Sequence, residues 1–373
     1  MTASVTPLAV HATDGAARAG TVTTARGSFA TPCFMPVGTR GAVKALDAAD
    51  LEALGAEVVL ANTYHLMLRP GDEVVAALGG LGRFSGWRGH TLTDSGGFQV
   101  HSLSPAVDDD GVTFTSVYDG SAVRLTPERA VEVQGRIGAD IQMVLDVCAS
   151  LPAPPEALRT AVERTAAWAA RARDHHRRIE TRPPHQALFG IVQGGIDPVL
   201  RAESAARTVE LGFDGYAVGG LSVGEPREEL LATLEVTVPL LPPELPRYLM
   251  GVGDPVGLVE AVARGVDMFD CVAPTRGARH GQVWTSAGRL SLRNASYARD
   301  DRPLEEGCRC PTCRRWSRGY LRHLLLVGEP TAWRLLSLHN LAFVLALVSQ
   351  AREAITGGRL GALRTDVAAA WAR

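Results

Sequence analysis

Leu188-Phe189-Gly190-Ile191-Val192-Gln193 is an apolar run that stops on a side-chain amide, and Asp197-Pro198 follows after a short glycine-containing turn. Five apolar or small residues in a row suit a strand buried on both faces. An aspartate before a proline suits a helix start, because the carboxylate caps free N–H groups and proline is tolerated at the first helical position. The same strand, turn and helix grammar recurs along the chain. The other runs are Cys33 to Gly38, Val58 to Asn62, Thr91 to Asp94, Ile141 to Asp146, Tyr216 to Gly220, Tyr248 to Gly251 and Met268 to Cys271. Helix starts are expected at Thr126-Pro127, Glu225-Pro226 and Asp254-Pro255 as well. Eight buried strands alternating with helices predict an α/β chain folded as a (β/α)8 TIM barrel, with a doubly wound open sheet as the competing topology.

Two segments fall outside the alternation. Residues 112–125 alternate apolar and polar around Asp119-Gly120, which predicts a hairpin inserted after the third strand. Residues 1–30 read as short antiparallel strands capping one end of the barrel. The predicted organisation is therefore an N-terminal cap (1–30), a barrel body (31–275), and a C-terminal part (276–373).

That C-terminal part holds Cys308, Cys310 and Cys313, and twenty-five residues separate Cys313 from His339. Three thiolates and one imidazole complete a tetrahedral zinc shell with no position left for water, so a structural Zn2+ and an appended zinc-binding subdomain are expected. His323 is the competing fourth ligand. Disulfides are disfavoured, since Cys308 and Cys310 are too close in sequence to bridge comfortably. Residues 273–323 carry eleven arginines against four acids, a local charge of +7 in a chain whose net charge is −2. A basic, metal-stapled arm on an acidic body suggests a polyanionic partner, with nucleic acid the first candidate. The chain's single lysine, Lys44, shows an arginine habit that compositional bias explains, but the clustering is not explained that way.

Composition excludes several classes. Apolar residues make up 46 % of the 373, ample for a core. No uninterrupted apolar stretch suggests a membrane span, and the start lacks the charged and apolar regions of a signal peptide. The remaining cysteines are scattered singly, as in a reducing cytosol, so a cytoplasmic location is expected. A Walker-type phosphate loop is excluded because Lys44 follows valine.

In a barrel, the C-terminal strand ends build the active site. Here they supply Asp94, Asp146, Gln193, Gly219-Gly220, Gly251 and Asp270. A single aspartate after a strand is as readily a turn or cap residue, but three at one mouth suggest shared chemistry. Two carboxylates facing a sugar can break a bond at the anomeric carbon, one attacking and one moving a proton. A third suits the adjacent N–H donors of a guanine-like base, whose carbonyl oxygen a glutamine amide and a backbone N–H can receive.

These residues sit in longer motifs. Thr93-Asp94-Ser95-Gly96-Gly97-Phe98-Gln99, Gly190 to Gly195, Gly219-Gly220-Leu221-Ser222-Val223-Gly224-Glu225, Tyr248 to Gly253 and Asp267 to Arg276 occur in that order. With them, and with the zinc spacing, the chain resembles the bacterial tRNA-guanine transglycosylases (queuine tRNA-ribosyltransferases) over nearly its full length. The resemblance implies exchange of guanine at the wobble position of GUN-anticodon tRNAs for a 7-deazaguanine base, a step of queuosine biosynthesis. It implies Asp270 as nucleophile on ribose C1′ and Asp94 as general acid/base. Asp146, Gln193, Gly220 and Leu221 would bind the base, and Phe98 and Met250 would sandwich it. Arg276 and Arg279 would contact the tRNA anticodon loop. It also implies a (β/α)8 barrel with a zinc subdomain and a homodimer.

One departure concerns the incoming base. The family commonly has Glu-Cys-Thr after the base-reading aspartate, whereas this chain has Val147-Cys148-Ala149. Val223 matches members that use 7-aminomethyl-7-deazaguanine (preQ1). The expectation is preQ1, with salvaged queuine as the alternative. Readings from other classes are a zinc-stapled barrel hydrolase or aldolase acting on a small sugar, and a catalytically silent RNA-binding subunit. The first leaves the basic arm unexplained, and retention of Asp94 and Asp270 speaks against the second.

Overall fold

The computed structural model describes residues 7–101, 106–179 and 186–372, so residues 1–6 of the expected N-terminal cap lie outside the described residues. Three antiparallel strands come first: β1 (Leu8–Asp14), β2 (Ala17–Thr24) and β3 (Gly27–Thr31). The chain then enters β4 (Cys33–Pro36), β5 (Val58–Ala61) and β6 (His90–Thr93). An antiparallel insertion follows, made of β7 (Ala106–Val107), β8 (Val112–Thr115) and β9 (Ala122–Leu125). The predicted hairpin is β8–β9, with Phe114 opposite Val123, and β7 adds a third strand that the pattern did not show. Next come β10 (Ile141–Met143), β11 (Ala187–Val192), β12 (Gly215–Val218), β13 (Arg247–Leu249) and β14 (Met268–Cys271).

Eight of these strands form one parallel sheet in the order β4-β14-β13-β12-β11-β10-β6-β5. A parallel bridge from Val37 to Leu60 joins its two edges, so the sheet closes into a barrel. The open doubly wound alternative is thereby excluded. All eight predicted runs are strands of this barrel. Within the strands themselves the residues are buried throughout, except Asp270 and Cys271 at the end of β14, which are half-buried. Strands covered on both faces can do without alternation, which is why they read as continuous apolar runs.

Local signals place the helices. Thr126, Asp197 and Asp254 each accept N–H bonds at the starts of helices Pro127–Ile137, Pro198–Glu210 and Pro255–Ala263, with proline at the first helical position. Glu225 departs from the expected pattern. Helix Arg227–Thr237 has Pro226 as its N-cap with no side-chain cap, and the Glu225 carboxylate folds back onto the Ser222 and Val223 N–H groups.

The N-terminal sheet is fastened to strand entrances. The Arg18 guanidinium forms a buried ion pair with Asp267, just before β14, and Asp267 also accepts the Arg247 N–H at 2.8 Å. Arg26 pairs with Asp140, just before β10, at 2.9 Å.

After the barrel come helix Ala273–Arg279, the hairpin of β15 (Gln282–Thr285) and β16 (Gly288–Ser291), and helices Arg318–Leu326, Pro330–Thr356 and Leu360–Trp371. Helix Pro330–Thr356 is long and apolar enough to cross a membrane by length and composition, which the absence of an unbroken apolar run did not suggest. Within the fold its apolar surface has another use, since 61 % of its most apolar window is buried in the protein. Arg334 reaches Asp50 at 3.1 Å and Arg352 reaches the Pro32 carbonyl at 2.7 Å, tying this helix to the barrel.

Candidate active site and metal centre

The barrel brings together the acids that end β6, β10 and β14. Asp94 follows β6 and receives four donors: Asn62 Nδ2, Thr63 N–H (2.9 Å), Gly96 N–H (3.2 Å) and Gln99 Nε2 (3.0 Å). Despite these bonds its carboxyl is pushed up to about 6, first by burial and further by the charge of Asp270. Asp146 lies beyond β10, and burial followed by the charge of Asp94 also pushes it up to about 6, against a 2.6 Å bond from Gln193 Nε2. Asp270 is raised by burial as well, opposed by the Tyr248 hydroxyl at 2.6 Å and the Gly251 N–H at 2.8 Å. Both of those donors bond Oδ1. Tyr248 itself is held well above its usual range by burial and by Asp270, so it remains a proton donor.

Gln193 and the Gly219-Gly220 pair interlock at the ends of β11 and β12. A Cβ on Gly220 would meet Gln193 Oε1 at 2.3 Å, and one on Gly219 would meet Gln193 Nε2 at 2.8 Å. Gly220 also has φ +64°, a conformation that L side chains resist. Two glycines are therefore required for the amide to lie against the backbone. Leu221 is buried beside them, and Ser222 takes the left-handed conformation at φ 60°, with its N–H held by Glu225. Because a trans peptide points its N–H and C=O to opposite sides, Glu225 turns the Leu221 carbonyl away from itself.

The remaining candidates fall around this mouth. Phe98 lies on helix Gly97–His101, 58 % exposed, and half-buried Met250 follows β13. Arg276 is exposed and Arg279 partly covered on helix Ala273–Arg279, directly after β14. Val147 points elsewhere, packing against an apolar cluster that includes Tyr64, Val100, Phe114 and Trp168, while its N–H bonds Thr165 at 3.0 Å. The carboxylate that controls the Leu221-Ser222 backbone is Glu225, so the missing glutamate at 147 does not deprive that backbone of a partner.

Cys308, Cys310, Cys313 and His339 converge, with all ligand atoms within 4.8 Å of one another, whereas His323 is exposed on its helix and outside the cluster. The three sulfurs lie 3.8, 3.6 and 3.3 Å from His339 Nδ1. A tetrahedron with ordinary zinc bond lengths has S···N edges of about 3.6 Å, so the residues fit such a metal ion. His339 Nε2 donates to the Trp284 carbonyl at 2.8 Å, which leaves Nδ1 free to ligate.

The sequence reading passed over Asn62, Gln99, Tyr248, Arg201 and Glu225. Gln99, Tyr248 and Glu225 stand within the quoted motifs, but only geometry shows which carboxylate or amide each one meets.

A closed barrel whose mouth gathers buried carboxylates beside a glutamine amide, with an arginine-rich arm next to it, suits an enzyme acting at an anomeric carbon. A sequence model of the queuine tRNA-ribosyltransferase family matches residues 13–373, and the chain belongs to that family. It is 54 % identical over 341 residues to the queuine tRNA-ribosyltransferase of Syntrophobacter fumaroxidans, covering 91 % of this chain and 90 % of the relative. Its identity to the Thermus thermophilus protein of the same name is 52 % over 354 residues, 94 % and 91 % of the two chains. The Sphingopyxis alaskensis protein, again of that name, is 50 % identical over 366 residues, 98 % of each chain.

The raised carboxyls predict a pH signature. A carboxyl whose folded pKa of about 6 lies above its unfolded value binds protons in the fold that the unfolded chain releases. Relative to an Asp94→Asn/Asp146→Asn double variant, the native protein should lose stability as pH rises from about 4 to about 6 and stay level above that. Urea midpoints across that range measure the difference. A difference that does not change with pH would contradict the assigned burial.

Proposed function

We propose that this chain exchanges guanine in tRNA for a 7-deazaguanine base through a covalent enzyme–RNA intermediate. The observation that carries the reading is the placement of Asp94, Asp146 and Asp270 at one barrel mouth, in a chain belonging to the queuine tRNA-ribosyltransferase family. Asp270 Oδ2, free of the Tyr248 and Gly251 bonds, attacks ribose C1′, and the C1′–N9 electron pair leaves with guanine. Asp94, whose pKa near 6 lets it exchange protons close to neutrality, protonates the departing base and later takes a proton from the incoming one. Asp146, Gln193 and the Gly220 N–H read the base edge, while Phe98 and Met250 cover its faces. The nucleotide must leave its stack to reach the mouth, which favours an anticodon loop over a duplex. Arg276 and Arg279 stand beside β14 to hold the phosphates of that loop.

The incoming base on this reading is preQ1. Glu225 holds the Ser222 N–H, so the Leu221 carbonyl is available to a cationic aminomethyl group, and charge-assisted bonds are the stronger kind. Val223 crowds a larger substituent. The Cys308, Cys310, Cys313 and His339 set holds zinc, which as a closed site contributes folding energy to the arm. The working division is an N-terminal sheet (1–30), a catalytic barrel (31–275) and a zinc-stapled RNA-contacting arm (276–373), acting as a cytoplasmic homodimer. The dimer rests on the family resemblance, and the location on the singly scattered cysteines.

Radiolabelled guanine should enter unfractionated tRNA with this protein alone. Asp94→Asn and Asp270→Asn should each lower incorporation by at least about a hundredfold. Arg276→Ala/Arg279→Ala should raise KM for tRNA and flatten its salt dependence. Incorporation unaffected by either aspartate variant would sink the mechanism.

Metal analysis of freshly purified protein should return about one zinc per chain, and Cys310→Ala should lose metal and solubility together. Less than about half an equivalent in the unaltered protein would count against the site.

When preQ1 and queuine compete for the same guanine-loaded tRNA, preQ1 should win, and Val223→Gly should narrow the margin. A win for queuine that Val223→Gly leaves unchanged would reject the pocket assignment while leaving the enzyme class intact.

A further inference from the structure

Helix Pro198–Glu210 turns an arginine inward. Arg201 is wholly buried, and among the described residues no carboxylate lies within ion-pair distance of it. Its guanidinium is satisfied by main-chain carbonyls. Nε donates to Gly195 O at 2.7 Å, Nη1 to Val192 O at 3.0 Å and Gly219 O at 2.8 Å, and Nη2 to Gly220 O at 3.3 Å. Burial lowers its pKa to about 9, which leaves it charged at neutral pH. A buried cation without a direct ion-pair partner, helped only at a distance by the Glu225 charge, is an expensive way to fill space between a helix and a barrel, where a leucine would pack without desolvating a charge.

The position of those carbonyls supplies the reason. Val192 and Gly195 flank Gln193 at the end of β11, and Gly219 and Gly220 directly follow β12. Arg201 thus clasps the two loops that carry the Gln193 amide, which bonds Asp146, and the Gly220 N–H. The same helix fixes Gln193 a second time, through Ser204 Oγ accepting the Gln193 N–H at 2.9 Å. In a trans peptide the N–H and C=O point to opposite sides. With the Gly219 carbonyl turned back onto Arg201, the Gly220 N–H is turned the other way, towards the sulfur of Cys148, a thiol that burial keeps protonated. A cation on the oxygen of a peptide also polarises its N–H into a stronger donor.

We infer that Arg201 is a positioning residue that acts through the Gly219–Gly220 peptide, presenting and strengthening the N–H that receives the carbonyl oxygen of the purine base. The inference rests on the reading of Gly220 as a base contact. Its chemical consequence appears when the C1′–N9 bond breaks. The electron pair delocalises into the purine and onto its carbonyl oxygen until the ring takes up a proton, and an N–H backed by a guanidinium stabilises that charge where it gathers.

The test compares two competitors of labelled guanine, unlabelled guanine and 2-aminopurine, which lacks the carbonyl oxygen. With the unaltered protein, guanine should compete at least about tenfold better than 2-aminopurine. Equal competition would overturn the Gly220 contact itself. In Arg201→Lys and Arg201→Gln, guanine should weaken about tenfold or more and kcat should fall, while inhibition by 2-aminopurine changes less than about threefold. If guanine discriminates in the native protein but both competitors weaken equally in the variants, Arg201 merely supports the pocket and the inference fails with the Gly220 contact intact. Insolubility of both variants would assign Arg201 to the folding core and equally overturn it.

Discussion

Carboxylates withdrawn from water at the mouth of a closed barrel are the constraint around which this structure is arranged. Asp94, Asp146 and Asp270 all lie above their ordinary pKa range, with burial the largest cause for each. Such groups persist only where the surroundings supply directed donors. Asn62, Thr63, Gly96 and Gln99 serve Asp94, Gln193 serves Asp146, and Tyr248 and Gly251 serve Asp270. These donors come from the ends or following loops of β5, β6, β11 and β13, so the site exists only when the barrel is closed. Asp94 and Asp146, each pushed up to about 6, resist ionisation just enough to exchange protons near neutral pH, which is the property a general acid/base needs.

The Cys3His cluster, which could hold a metal ion, is joined to this mouth through neighbouring residues of one helix. His339 belongs to the Cys3His cluster and bonds the Trp284 carbonyl, and Asn340 accepts the Trp284 N–H while donating to Pro274 O and Gln282 O. Pro274 lies in the helix that carries Arg276 and Arg279, directly after β14. The helix that carries His339 therefore braces the segment that presents arginines just after β14.

The barrel was legible because each of its strands is covered on both faces and reads as a short unbroken apolar run, and because Thr126, Asp197 and Asp254 mark helix starts by local chemistry. The Cys3His set was legible from residue type and spacing, although choosing His339 over His323 needed the fold. Glu225 shows the limit of local rules, since an acid before a proline looks like a cap and here serves the loop behind it. Arg201 was missed because an arginine on an amphipathic helix normally faces water. The available signal was its position among Leu200, Ser204, Ala205 and Thr208, the inward face of that helix. Val147 carried weight in the sequence only because the direction of its side chain was unknown; it packs away from Leu221 into an apolar cluster.

The central claim is that Asp270 forms a bond to ribose C1′ while Asp94 moves the proton. Incubating the protein with an anticodon stem-loop RNA, denaturing it and locating the linkage by peptide mass spectrometry tests that claim most directly. The account predicts one RNA adduct per occupied site, carried by the peptide containing Asp270 and absent from Asp270→Asn. An adduct on the peptide containing Asp94, or turnover with no adduct at all under conditions that trap the intermediate, would contradict it.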